Sequence, residues 1–304
     1  MPDVYLRVSA VNLGDSIYDT NDISTIRGGS FMLLDAVKGM AEAPSLEPLL
    51  DKISIGASEG IFRLKEDSGS NPPQTREAVR SYLSTAVGDQ GESAFGGHAT
   101  FVVDTLESDD SDFQKIQERL IAENRWRQLQ QLTVSWGTEW QGGKAPCYHN
   151  GVRPGLHEVP VPGLSQRQRV SGSVRFRQSE GQRLRNEIYG KIITDKSDLS
   201  RFTNNLEALS TSLPDGVPKN LDGKIAFIYV DGNKFGKIRQ KHCKTETSLS
   251  AFDKAVQENF RARVLGRVME TLADEKDTTG HIIKDKKKQL RLETLLWGGD
   301  EIEW

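Results

Sequence analysis

The sequence is poor in cysteine and in long apolar runs, and each absence excludes a class of protein. Its 304 residues include two cysteines, Cys147 and Cys243, which are too few for a disulfide-stapled secreted scaffold. No apolar run approaches the roughly 18 residues that a membrane-spanning helix needs. The first eleven residues lack a basic stretch followed by an apolar one, so a signal peptide is not expected. We therefore predict a cytoplasmic protein without membrane contact.

An excess of charge of one sign is also absent. The 40 lysines and arginines are offset by 43 aspartates and glutamates, which gives a formal net charge of −3. This balance excludes a generally basic nucleic-acid coat protein but not a local basic groove. Hydrophobic residues make up 36% and charged residues 27%, as in globular proteins. At about 150 residues per domain, the length predicts roughly two domains.

Residues 1–136 alternate strand-like and helix-like patterns. The β-α-β-β-α-β-α-β order that results predicts an α+β fold, with helices on one face of a mixed sheet. The predicted strands are 4–13, two within 52–64, 98–106 and 131–136, and the predicted helices are 28–42, 74–87 and 113–131.

Residues 137–222 form a predicted connector, irregular up to residue 182 and helical over 183–211. The spacing of Cys147 and His149 matches no standard structural zinc motif, so zinc is not expected there. A series of arginines predicts either phosphate contacts or a solvated basic face. These arginines are Arg167, Arg169, Arg175, Arg177, Arg183 and Arg185.

Two acidic clusters mark residues 223–304. Asp231 ends an apolar strand, and Asp300 with Glu301 lies at the tip of a hairpin, with an amphipathic helix over 249–273 between them. In a β-α-β-β unit the hairpin pairs beside the first strand, so both clusters can converge at one sheet edge. Converging carboxylates are costly at neutral pH unless a cation lies between them. Mg²⁺ favours such carboxylates together with substrate phosphates.

Gly298 and Gly299 precede the second acidic cluster. Without Cβ atoms, they let a phosphate or sugar approach the backbone. The alternative is ordinary hairpin turn chemistry, for which a Gly-Asp pair is also typical.

The segment FIYVDGNKFG, followed by LLWGGDE, resembles the palm of the polymerase/cyclase superfamily. This superfamily includes GGDEF-type diguanylate cyclases and the large polymerase-like subunit of type III CRISPR effector complexes. The Asp-Gly-Asn that follows the strand is closer to the CRISPR subunit. Glu301 departs from the second Asp that is usual in that subunit, which lengthens the carboxylate arm.

The resemblance implies a nucleotidyltransferase that makes a cyclic or short oligonucleotide signal from ATP or another NTP in prokaryotic antiviral defence. Asp231, Asp300 and Glu301 would be catalytic and would hold two Mg²⁺ or Mn²⁺ ions. The residues that would bind the nucleotide are Gly232, Asn233, Gly298 and Gly299. RNA and other effector-complex subunits are the implied partners.

Two alternatives remain open at this point. One is a non-catalytic scaffold that binds RNA or partner subunits. The other is a GGDEF-like cyclase that uses GTP, although Ile302 stands where that family has Phe.

The first part of the chain resembles a degenerate copy of the same palm. Residues 56–59 align with 298–301, and residues 11–14 align with 230–233. The resemblance therefore implies two ferredoxin-like palm domains, 1–136 and 223–304, joined by 137–222. The second palm is expected to be incomplete, because the chain stops three residues after Glu301. A longer natural chain, a homodimer or another chain is expected to complete it.

Overall fold

The computed structural model describes twelve segments of the chain. They are 2–11, 13–20, 22–56, 58–66, 71–84, 98–130, 145–161, 164–192, 209–210, 218–272, 290–298 and 301–304. The predicted strand at 131–136 lies outside them.

The strands are β1 Asp3–Val11, β2 Leu50–Ile55, β3 Glu59–Leu64, β4 Thr100–Ser108, β5 His157–Val159, β6 Gln168–Val170, β7 Tyr229–Asp231, β8 Leu296–Gly298 and β9 Glu301–Glu303. The helices are α1 Leu13–Ser16, α2 Ile23–Glu42, α3 Pro72–Ser84, α4 Phe113–Gln128, α5 Gly172–Ile192, α6 Phe235–His242, α7 Glu246–Ala255 and α8 Arg263–Leu272. Short 3₁₀ turns lie at Glu47–Leu49 and Lys219–Leu221, and a π-helical segment, Val256–Ala262, joins α7 to α8.

The first sheet has the strand order β2-β3-β1-β4. All of its pairings are antiparallel, so the prediction of a mixed sheet is wrong, whereas the predicted α+β class is confirmed. The elements from β1 to β4 follow the β-α-β-β-α-β order of the ferredoxin-like motif.

Capping side chains fix where two long helices begin. Asp22 Oδ2 accepts a hydrogen bond from the Thr25 N–H at 2.9 Å, so α2 begins at Ile23 and not at the predicted residue 28. Asp112 caps α4 in the same way, accepting from the Gln114 N–H at 3.0 Å. Each cap satisfies an amide that the first helical turn leaves without a partner.

Side chains of β1 alternate between the two faces of the first sheet, as strand geometry requires. Leu6 and Val8 belong to a core formed with α2 and α3, whereas Tyr5 belongs to a core formed with α4 and α7. We call these the α2 face and the α4 face. The core of the α2 face also includes Leu265 and Ile302, which come from the last part of the chain.

The described part of the connector over residues 145–192 has more regular structure than predicted. Strands β5 and β6 form a hairpin, and α5 begins at Gly172 and not at residue 183. Helix α5 crosses α2 at two glycines that allow a very close approach. A Cβ atom on Gly28 would lie 1.8 Å from the Arg177 carbonyl oxygen, and one on Gly181 would lie 2.3 Å from the Ser24 carbonyl oxygen.

The last sheet has the order β7-β9-β8, with antiparallel pairings. The predicted apolar strand that ends in Asp231 is short, since β7 covers three residues. Ile228 extends the pairing, because it exchanges backbone hydrogen bonds of 2.9 and 3.0 Å with Trp304. On this outer strand Phe227 is 60% exposed and Tyr229 is 51% exposed. In the described part of the chain, no helix combines the length and the apolar character that crossing a membrane requires.

Candidate functional site

Strand pairing brings three predicted site positions together at one end of the last sheet. Asp231 lies opposite Glu301 on the neighbouring strand, and Gly298 lies opposite Glu301 on the other side. Directly opposed residues of an antiparallel pair typically have Cβ atoms about 5 Å apart. The expected pairing of the hairpin with the strand that ends in Asp231 is therefore present. Gly299 and Asp300 lie outside the described residues.

The turn after β7 exposes Asp231 and Asn233 to solvent. The Gly232 carbonyl accepts a hydrogen bond from the Phe235 N–H at 3.3 Å. Lys234 adopts a left-handed conformation, with φ of 64°, which is strained for a residue with a side chain. This conformation turns the chain sharply from β7 into α6.

The Phe235 ring fixes the underside of this turn. Its centroid lies 5.8 Å from the Phe252 ring and 5.8 Å from the Phe260 ring. Phe235 is therefore a packing residue. Among the described residues, no side chain forms a hydrogen bond or ion pair with the Asp231 carboxylate, so this oxygen-donor group is available to a ligand.

A buried cluster of charges lies at the base of the hairpin, just before β8. The Glu293 carboxylate contacts the Arg27 guanidinium of α2 and lies 3.6 Å from Arg185 Nη1 of α5. All three side chains are at least 95% buried. Burial raises the pKa of Glu293 above its ordinary value, although both guanidiniums act in the opposite direction.

The next residue is held by a buried tyrosine. The Tyr189 hydroxyl of α5 donates to Thr294 Oγ1 at 2.9 Å and accepts from the Thr294 N–H at 3.1 Å. On the other strand of the hairpin, the Tyr18 hydroxyl donates to Glu303 Oε2 at 3.1 Å. Both strands are therefore anchored by residues from earlier parts of the chain.

The hairpin between β2 and β3 is the counterpart of the acidic hairpin. The Gly56 N–H donates to the Glu59 carbonyl at 2.8 Å, so Gly56 opposes Glu59 as Gly298 opposes Glu301. The alignment of residues 56–59 with 298–301 thus agrees with the backbone pairing. The alignment of Asn12 with Asp231 is wrong by three residues, because Ser9 is the residue opposite Glu59.

Glu59 is held by two cations from different parts of the chain. Its carboxylate lies 2.5 Å from Arg7 Nη2 and 2.6 Å from Arg239 Nη1 of α6. Burial acts to raise the pKa of Glu59, but the positive charges of Arg239 and Arg7 outweigh it and hold that pKa below its ordinary value. Nothing in the sequence distinguishes Glu59, which forms these ion pairs, from Glu301.

Helix α7 and the π-helical segment after it contact the same hairpin. Ser54 donates a hydrogen bond to the Asp253 carboxylate, and Gln257 Nε2 donates to the Ile55 carbonyl at 3.0 Å. Burial raises the pKa of Asp253 above its ordinary value. The first hairpin is therefore a contact surface for helices that follow β7.

The connector arginines divide into buried and exposed sets. Arg177 forms a two-pronged pair with Asp19, at 2.9 Å for each contact, and Arg185 belongs to the Glu293 cluster. Both are buried, so neither predicted alternative, phosphate contact or solvated face, describes them. Arg183 is exposed and pairs with Glu180 and Glu187 along α5.

Cys147 is buried among Val159, Val170 and Val174. Within the described ranges, no three His, Cys, Asp or Glu side chains are grouped closely enough to hold a metal ion. The packing explains the burial of this cysteine without a ligand.

The chain shares its overall fold with chains of known structure. A chain in the crystal structure of the Csm1-Csm4 cassette with one ATP matches with a TM-score of 0.53 at 12% identity, over 99% of this chain and 45% of that chain. The apo cassette matches with a TM-score of 0.52 at 11% identity, over 99% and 45%. The cassette with cA4 matches with a TM-score of 0.50 at 11% identity, over 99% and 44%.

No protein-family model and no curated protein matches this sequence. The likeness to the cassette structures is therefore one of fold. It extends over nearly all of this chain, which spans less than half the length of the chains that it matches.

Proposed function

We propose that this chain contributes the palm of a nucleotidyltransferase that joins ATP into a cyclic or short linear oligonucleotide. The observation that carries the proposal is the pairing of Asp231 with Glu301 at the end of β7 and β9. This pairing sets an exposed carboxylate beside the strand that follows Asp300. The motif around these residues resembles the large subunit of type III CRISPR effector complexes.

The residues fit a divalent metal ion. Asp231 offers an exposed carboxylate with no partner among the described residues, and Asp300 and Glu301 add two more carboxylates by sequence. Mg²⁺ and Mn²⁺ prefer such oxygen ligands. When bound, the two ions would neutralise phosphate charge and lower the pKa of an attacking hydroxyl.

The remaining residues have positional roles in this proposal. Gly232 and Asn233 follow Asp231 directly, and Asn233 is exposed, so its amide is free to hydrogen-bond a nucleotide. Gly298 and Gly299 lack side chains that would block a triphosphate from the hairpin backbone.

The cassette structures support the choice of ATP. They share this fold, and they are described as complexes with one ATP and with cA4. We infer a double-palm arrangement in which the unit of β1 to β4 is the non-catalytic copy. An effector complex with further subunits is the expected setting, because the matched chains come from a two-protein cassette.

The test is product formation from labelled nucleotides. The 304-residue chain is incubated with each NTP and Mg²⁺ or Mn²⁺, with and without RNA, and pyrophosphate and oligonucleotides are measured. We expect a product from ATP that is lost in Asp231→Ala and kept in the control Asp222→Ala. Asp222 is also exposed and lies nine residues upstream, so its loss removes the same charge outside the site.

Product from GTP alone would instead favour the GGDEF-like cyclase. Turnover that survives Asp231→Ala would contradict the metal assignment.

A second candidate is a non-catalytic scaffold that binds partner subunits. The observation that favours it is the exposed apolar outer strand, where Phe227, Ile228 and Tyr229 are each at least half exposed. Persistent subunit or RNA binding without turnover of any NTP would support it. Loss of that binding in Phe227→Ser would identify the surface.

A further inference from the structure

The acidic hairpin has little structure of its own to hold it in place. Strands β7, β8 and β9 contain three residues each, and so short a sheet is marginal by itself. The position of Glu301 in β9 therefore depends on what holds the base of the hairpin.

Two earlier elements hold that base at consecutive residues. Glu293 bridges Arg27 of α2 and Arg185 of α5, and Thr294 exchanges two hydrogen bonds with Tyr189 of α5. The chain then enters β8 two residues later. The Leu295 N–H donates to the Glu303 carbonyl at 2.9 Å, so the anchored segment is already part of the hairpin ladder.

The two anchoring helices are themselves fixed against each other. Gly28 and Gly181 bring their backbones into direct contact, and Arg27 Nε donates to the Gly181 carbonyl at 3.1 Å. Arg27 thus touches both the helix crossing and the base of the hairpin. Because the backbones of α2 and α5 are in contact and protein interiors are close-packed, the two helices are held in a fixed position relative to each other.

We propose that Tyr189, Arg27, Arg185 and Glu293 are positioning residues that set the place of the β8–β9 hairpin from the first unit and the connector. The claim that they thereby place metal ligands rests on the proposed function. The claim that they place the hairpin does not.

The strength of the anchor follows from burial. Removing the Tyr189 hydroxyl leaves the Thr294 N–H without its partner at a site where Thr294 is 1% exposed, and an unsatisfied buried donor is costly. Removing the charge of Glu293 leaves Arg27 and Arg185 as two buried cations of the same sign, which is costlier still.

The test compares Tyr189→Phe with Tyr82→Phe as a matched control. Tyr82 is a partly buried tyrosine on α3, so the control removes the same atom away from the hairpin. Amide hydrogen exchange is measured on residues 295–304, together with urea unfolding of the whole chain. We expect exchange of these amides to accelerate about tenfold in Tyr189→Phe and to stay unchanged in Tyr82→Phe.

A second, milder variant distinguishes a local effect on the hairpin from a general loss of stability. Thr294→Val keeps the shape of the side chain and the backbone donor, and removes the bond between Tyr189 and Oγ1. We expect a smaller acceleration at the same amides and a smaller fall in the urea midpoint than in Tyr189→Phe, because the bond from the Thr294 N–H is kept. Hairpin amides that exchange at the wild-type rate in both variants would overturn the proposal. A uniform acceleration over β1 to β4 as well would also overturn it, because it would show a general loss of stability.

Turnover is the separate readout. If the wild type makes product, we expect Tyr189→Phe to lower kcat about tenfold with little change in the KM for the nucleotide, since the hairpin is displaced. If the wild type makes none, faster hairpin exchange still supports positioning, while the proposed function fails. Glu293→Gln should show the larger effect of the same kind.

Discussion

The two hairpins of this chain share a backbone pattern and differ in what surrounds their acids. In the hairpin of residues 56–59, Glu59 pairs with Arg7 and with Arg239 of α6, and the hairpin contacts α7 and the π-helical segment after it. In the hairpin of residues 298–301, the opposing strand ends in the exposed Asp231. The same pairing of a glycine with a glutamate thus occurs once at a packed contact and once beside an exposed Asp231.

The cover on the first hairpin comes from the unit that contains the second. Helices α6 and α7 follow β7, yet Cys243 and Leu249 pack with Tyr5 and Ile53 on the α4 face of the first sheet. Residues of α6 and α7 thus contact the hairpin of residues 56–59, while Asp231 at the end of β7 is exposed.

The first test of this difference removes Asp300, an acid that has no counterpart in the first hairpin. We expect Asp300→Ala to lower turnover at least about a hundredfold, because it removes a carboxylate that would hold the metal ions. Folding should stay near the wild type, since Asp300 follows two glycines in a sequence typical of an exposed turn. Ser58→Ala, at the matching position of the first hairpin, is the control and should leave turnover unchanged. Equal losses in both variants would contradict the assignment.

We expect the crossing of α2 and α5 to stabilise the 298–301 hairpin more than the 56–59 hairpin. Gly28→Ala places a methyl group 1.8 Å from the Arg177 carbonyl oxygen, and such overpacking costs about 1–3 kcal/mol or more. We expect a lower urea midpoint, and hydrogen exchange should show the 298–301 hairpin losing protection before the 56–59 hairpin. Gly14→Ala is the control, because no atom lies within 4 Å of its added methyl group. Simultaneous loss at both hairpins would show that they share one support.

The pH dependence of the free energy of unfolding tests whether the ion pairs of Glu59 stabilise the fold. The pKa of Glu59 is held below its ordinary value of 4.5, so its ion pairs stabilise the fold above that value. Their contribution is lost as the pH falls through the lower folded-state pKa. We expect Glu59→Gln to cost about 1–2 kcal/mol at pH 7 and less at pH 3.

Urea midpoints of wild type and Glu59→Gln across pH 3–7 measure this difference. Parallel curves would show that Glu59 contributes through packing and not through charge.

The smallest expected effect concerns the contact between Ser54 and Asp253. Ser54→Ala removes one hydrogen bond and should cost about 1 kcal/mol. Turnover should not change, because the contact lies at the 56–59 hairpin, which has Ser58 where the second hairpin has Asp300. Thermal unfolding measures the loss, and a fall in kcat without a fall in stability would link the first hairpin to the reaction.

Local pattern predicted much of the first unit and little of the connector. The strands and helices of residues 3–128 follow clear apolar periodicity and marked caps such as Asp112, so their order was predictable. Helix α5 was predicted too late along the chain because Arg177 and Arg185, which are buried, look like surface residues in a sequence. A buried arginine is recognisable only with its partner, and Asp19 and Glu293 are both more than 100 residues away.

The candidate site was predictable to the level of strand pairing. The order of strand, helix and hairpin implied that Asp231 would meet the second acidic cluster, and the register places it opposite Glu301. The anchors Tyr189 and Thr294 could not be found, because a single Tyr or Thr carries no motif. The ion pairs of Glu59 could not be predicted either, because one of its two cationic partners, Arg239 of α6, lies 180 residues away in the sequence.

The position of α7 on the first sheet has a consequence for dividing this protein into fragments. A chain cut after residue 222 would keep every strand of the first sheet but lose Cys243 and Leu249 from one face and Leu265, Met269 and Ile302 from the other. Residues 1–222 expressed alone would therefore display bare apolar surface on both sides and aggregate. A cut after residue 222 falls at the predicted boundary between the connector and the second palm, but it does not separate two independently folding units.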